Sequence, residues 1–163
     1  MASSLTTPVA APAADRLAEL EDRLRELEDR ARLAELVDRF VHGLDSADAP
    51  TVDQYREILT EDVRLNLPNG THQGVAGLPD FFAAPRAHWA GNQHYATNSV
   101  IDLQGDRASV RANIHAVHIP HDASAPLFTG GAHYDIRATR TPAGWRIAEL
   151  TVSVLWTAEG GRA

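Results

Sequence analysis

Residues 92–121, "NQHYATNSVIDLQGDRASVRANIHAVHIPH", decide how this chain folds. Residues 94–103 and 108–119 both alternate and are rich in β-branched side chains. The "QGDR" between them has the composition of a hairpin turn. Two further strands are predicted at 131–139 and 145–156, joined by "RTPAG". Helical patterns occupy the chain before this run and hairpin-linked strands fill the rest. That order predicts an α+β domain, with helices on one face of a curved antiparallel sheet whose concave side can enclose a small pocket.

Working outward toward the N-terminus, nothing breaks a helix from Asp15 to about Leu44. Leu17, Leu20, Leu24, Leu27, Ala31 and Ala34 repeat at alternating spacings of three and four, as in a coiled-coil seam. The seam either pairs with another chain or lies along its own domain. The apolar set then widens to Leu33, Leu36, Val37, Phe40, Val41 and Leu44, which suits packing on a sheet. A short helix holding Val52, Tyr55, Ile58 and Leu59 follows, then a strand at "VRLNLP" ending in "PNGT". Another short helix falls in "GVAGLPDFFAAPRAHWA". The expected division is a disordered leader at 1–14, a helical extension at 15–32, the domain at 33–157 and a tail at 158–163.

Composition removes several kinds of chemistry. With 163 residues and 44% hydrophobic content, the chain can bury one core. A net charge of -7 provides no basic stripe for nucleic acid or an anionic membrane. The sequence has no cysteine, which excludes thiolate catalysis and disulfides and fits a cytoplasmic setting. All fifteen basic residues are arginine, so no lysine can form a Schiff base. No apolar run approaches membrane-span length, and "MASSLTTPVAAPAAD" lacks the layout of a secretory signal. Proton chemistry falls to His, Asp, Glu or Tyr.

Three histidines lie within "NIHAVHIPH": His115, His118 and His121. They could bind a metal, serve a reaction, or be rim residues. Strand alternation sets His115 with Arg111, Asn113, Val117 and Ile119 and turns His118 the other way, while His121 falls beyond Pro120. That divergence, without the i, i+4 spacing of a helical zinc site, argues against a metal. The hairpin places His94 and His115 on neighbouring strands and, by expectation, on one face. Asp45, in "GLDSAD" at the helix end, could hold an imidazole in one tautomer, although aspartate also suits a turn there.

The ordered set "FVHGLDSAD", "LTEDVRLNLPNGTHQGVAGL", "NQHYATNSVIDLQGDRASVRANIHAVHIPH" and "GAHYDIRATRTPAGWRIAEL" resembles the SnoaL-like domains, from about Leu33 to Trp156. Within them it is similar to the branch of the scytalone and bile-acid dehydratases. The resemblance implies the cone-shaped α+β barrel of the nuclear-transport-factor superfamily. It also implies acid–base catalysis, without metal or cofactor, by Asp45, His94 and His115. The implied substrate-binding set is Leu44, Leu67, Asn98, Asn113, His133, Tyr134 and Asp135. Leu44 and Leu67 stand where scytalone dehydratase carries the two tyrosines that polarise a carbonyl, and Tyr134 and Tyr95 are the candidates to replace them. The expectation is a dehydratase acting on a small hydrophobic, oxygenated, polyketide- or terpenoid-like metabolite, in a homodimer or homotrimer. A cyclase, an isomerase or a non-catalytic binding module remains open.

Overall fold

The computed structural model describes residues 12–160. A single helix, α1 (Ala13–Asp45), runs unbroken through the leucine seam and the widened stripe, matching the one helix expected from Asp15 to about Leu44. Of the expected leader, residues 1–11 lie outside the described residues, while Ala13 and Ala14 are already helical. Along α1, residues 13–28 are exposed on every side, whereas Leu33, Leu36, Val37, Phe40 and Val41 are buried against the sheet. Each such burial contributes about 1.5–3 kcal/mol. The anchoring strength of α1 therefore lies in its second half.

The helix α2 (Val52–Arg56) starts at a capping box in which Thr51 and Gln54 satisfy each other's backbone N–H groups. Strand β1 (Leu59–Leu67) follows, then β2 (Gly70–Gln73), which the sequence reading did not separate from the "PNGT" turn. Helix α3 (Leu78–His88) leads into four long strands: β3 (Gly91–Gln104), β4 (Arg107–Ile119), β5 (Leu127–Thr141) and β6 (Gly144–Gly160). The last strand absorbs residues 158–160, which the sequence reading gave to a tail; 161–163 lie outside the described residues.

The six strands form one sheet in the order β2-β1-β6-β5-β4-β3. All neighbours are antiparallel except β1 and β6, which run parallel, so the sheet is mixed rather than wholly antiparallel. The parallel pair follows from the chain path: α3 and four strands separate β1 from β6, so no tight hairpin links them. Ala108, Val110, Ala112 and Ile114 on β4, with Tyr134 and Ile136 on β5, form the inner face against α1. This is the α+β cone fold, with its core between the long helix and the concave sheet.

Candidate active site

Asp45 is the last residue of α1, where the helix meets the open edge of β3. N–H groups on the free side of an edge strand need partners from elsewhere. The Asp45 carboxylate supplies one: Oδ2 accepts the backbone N–H of His94 at 2.8 Å, and Oδ1 accepts Nδ1 of the same residue at 2.5 Å. Both side chains are mostly withdrawn from water, at 11% exposure for His94 and 22% for Asp45. Holding backbone and ring together fixes the imidazole's orientation. With the proton on Nδ1, the base at Nε2 is left free.

His94 lines a cavity of about 410 Å³ beneath the concave sheet, a size suited to a small organic molecule. Phe40, Leu44, Leu67, Phe82, Trp89 and Phe128 make its wall largely apolar. Opposite His94 stands His118, their rings meeting edge to face at 5.6 Å. The His118 ring lies 5.1 Å from Trp89 and 5.7 Å from Phe128, and its Nδ1 bonds Oδ1 of Asn92 at 2.7 Å. Burial holds His118 below the ordinary histidine value, reinforced by His94 and His88 and partly opposed by Asp45. It is therefore a neutral imidazole, with Nδ1–H given to Asn92 and Nε2 available as an acceptor.

Tyr134 packs edge-on to Phe40 at 6.2 Å and lines the same cavity. Its hydroxyl has no hydrogen-bond partner among the described residues. Burial, with a smaller effect of Asp45, pushes its ionisation far above the ordinary tyrosine value, so it remains a donor at any physiological pH. Arg86 on α3 closes one side, its guanidinium bonding the carbonyl oxygens of Ser46 and Gly43 at the end of α1.

Several sequence expectations are corrected by this geometry. His115 does not share a face with His94. It is exposed on the outer side of the sheet, its ring 6.2 Å from Tyr95 and 5.7 Å from Trp156. Asn113 and His133 pair across β4 and β5 on that outer side. So do Arg111 and Asp135, which form a two-pronged ion pair at 2.8 and 3.1 Å. Asn98 is exposed and is not among the residues lining this cavity; it adopts φ 55 within β3. Asp45, His94, Leu44, Leu67 and Tyr134 come together at the cavity. Tyr95 points outward and cannot serve it.

The cause of the exchange is a β-bulge. From Gln104↔Arg107 to Val100↔Arg111 the hairpin pairs without interruption, and then Thr97 pairs with Asn113. Asn98 and Ser99 thus oppose the single residue Ala112. One extra residue turns every side chain beyond it to the other face. Beyond the bulge His94 pairs with Ala116 and faces inward beside His118. Asn98, the first of the two residues on the bulged side, has φ 55, a left-handed conformation that asparagine tolerates better than most residues.

His118 and Asn92 are the site residues that sequence reasoning missed. The two neighbouring histidines do not converge with His118: His115 points outward, and His121 bonds the carbonyl of Ala87 at 3.0 Å.

Residues 25–151 match the sequence model of the SnoaL-like domain, and the chain belongs to that family. No curated protein matches the sequence. Among solved structures, an NTF2-like protein with a cystatin-like fold from Novosphingobium aromaticivorans is 27% identical. It has a TM-score of 0.70 over 85% of this chain and 90% of that one. The hexachlorocyclohexane dehydrochlorinase LinA-type3 from Novosphingobium barchaimii is 18% identical, with a TM-score of 0.70 over 84% and 93% of the two chains. A protein of N. aromaticivorans provisionally described as a scytalone dehydratase is 17% identical, with a TM-score of 0.66 over 88% and 93%. At those last two identities the likeness is one of fold. No helix among this chain's described residues is long and apolar enough to cross a membrane.

Proposed function

We propose that this protein is a lyase that removes water from a small, hydrophobic β-hydroxy carbonyl compound of polyketide or terpenoid type, with Asp45 and His94 moving the proton. The observation that carries this reading is the two-point grip of Asp45 on His94, which leaves Nε2 as a base at an apolar cavity. In the proposed step, Nε2 takes the proton from the carbon next to the carbonyl. The C–H pair becomes the new C=C bond as the C–O bond breaks, and the leaving oxygen takes its second proton from the His94 imidazolium. The Asp45 carboxylate opposes the positive charge that builds on the ring. No oxidation state changes between protein and substrate, so the step needs no redox partner.

Two further groups fit this assignment. Tyr134 carries an unengaged hydroxyl that remains protonated, so it can donate to the carbonyl oxygen as enolate charge develops there. It would take over the task expected of the tyrosines that Leu44 and Leu67 replace. His118, neutral and accepting through Nε2, can hold the substrate hydroxyl in line with His94. The low-dielectric wall strengthens each of these contacts.

The test is incubation with a panel of one- to three-ring β-hydroxy ketones in deuterated water, read by mass spectrometry. Loss of one water from a panel member, abolished in His94→Ala, is the expected result. Conversion at unchanged mass would redirect the assignment to isomerisation or cyclisation. Ligands that bind without losing water or exchanging their α-proton would overturn the enzymatic reading in favour of a binding module.

A further inference from the structure

The first half of α1 carries a pattern independent of the cavity. Leu17, Leu20, Leu24 and Leu27 stand on one face at 58, 61, 57 and 65% exposure, on a stretch whose residues are all exposed. A free helix of this length is marginal in water, and a leucine stripe on it is costly to leave wet. With the leucines at positions a and d, the flanking positions sort by charge without exception. Position g is Arg16, Arg23 and Arg30; position e is Glu21, Glu28 and Glu35.

In a parallel pair of helices, each g residue meets the e residue five positions later on the partner. Arg16 would meet Glu21, Arg23 would meet Glu28 and Arg30 would meet Glu35, each twice by symmetry. In an antiparallel pair g meets g and e meets e, which sets arginine on arginine and glutamate on glutamate. The stripe is thus self-complementary in one orientation and self-repelling in the other. Within the single chain Arg23 pairs with Glu19 and Arg30 with Glu26, leaving Arg16, Glu21 and Glu28 without an ion-pair partner among the described residues. The seam continues through the small Ala31 and Ala34 and stops at Asp38; beyond it, Val41 belongs to the chain's own core.

We infer that residues 16–35 join two copies of this chain in a parallel, in-register, two-stranded coiled coil, holding both cone domains at the same end. Sedimentation velocity of the full chain should give twice 17.7 kDa. The sequence has no cysteine, so Leu17→Cys introduces the sole thiol and should oxidise to a disulfide-linked dimer. An antiparallel pairing of residues 16–35 would set Leu17 opposite Ala34, so the two introduced thiols would lie about 25 Å apart and stay unlinked. Glu21→Arg with Glu28→Arg should give a monomer with unchanged near-UV circular dichroism. Adding Arg16→Glu and Arg23→Glu should restore the dimer. A monomeric or trimeric wild type, a dimer that Leu17→Cys cannot link, or a dimer indifferent to charge reversal would each overturn the inference.

Discussion

Replacing Asp45 by asparagine changes one atom type and tests the centre of the proposed mechanism. Asp45 accepts twice from His94, through Oδ2 from the backbone N–H and through Oδ1 from Nδ1–H. Asparagine has a single acceptor oxygen. If that oxygen keeps the backbone N–H, the amide NH₂ faces Nδ1, which must then give up its proton and accept. The ring proton moves to Nε2, and the atom that should act as a base becomes a donor. If the oxygen instead keeps Nδ1–H, an NH₂ is pressed against a backbone N–H in a site mostly withdrawn from water. Losing one hydrogen bond to a charged acceptor costs about 1.5–3 kcal/mol of stability, leaving the fold intact. Losing a general base typically costs about 10²–10⁴ in kcat. Asp45→Asn should therefore lie at the lower end of stability loss and the upper end of activity loss. The assay pairs turnover with ¹⁵N NMR of the imidazole nitrogens. In the wild type, His94 should show a protonated Nδ1 and a bare Nε2; in the variant these should exchange. An unchanged tautomer, or activity within a factor of a few of wild type, would refute the reasoning.

Three other predictions follow from the same geometry. His118 is held below its ordinary value of 6.5, so as pH falls through 6.5 the unfolded chain takes a proton that the folded one refuses; stability is lost below that point and complete above it. Urea midpoints between pH 5 and 8 should show this fall, and His118→Gln should flatten it. Asn98→Val puts a β-branched residue at φ 55 and should cost at least ~1–2 kcal/mol, while Asn98→Gly should be tolerated, by thermal melts. In Gly131→Ala the new methyl would meet the Trp156 indole at 2.2 Å; because that ring is half exposed it can swing away. The expected cost is about 1 kcal/mol, at the low end of overpacking, with a shift in tryptophan fluorescence.

Much of the fold was legible because its signals are local. The widened apolar stripe from Leu33 to Val41, the turn composition of "QGDR" and the run of strands after the last helix each point to one answer, and together they specify a helix on a curved sheet. The parallel β1–β6 pair was not legible, since it joins segments that share no turn. Asp45 and His94 could be nominated as partners, but the double grip depends on β3 being an edge strand, which is a property of the sheet order.

The exchange of His115 for His118 shows where strand alternation misleads and where it could have corrected itself. Without a bulge, the "QGDR" turn pairs residue 94 with 117, and His94 and His115 do share a face. That face, however, would be the outer one. On β4 the small and apolar residues Ala108, Val110, Ala112 and Ile114 are all even-numbered and all buried, and continuing their phase leads to Ala116 and His118, never to His115. On β3 the residues turned to the core are Ile101 and Leu103 near the turn, but Ala96 and His94 further along, so the inward phase changes between them. Such a change requires one extra residue, and "NS" at 98–99, polar and including an asparagine fit for a left-handed φ, is where it falls. Asn98 therefore bears on the site without lining it, as the residue that turns His94 from the solvent side of the sheet into the cavity.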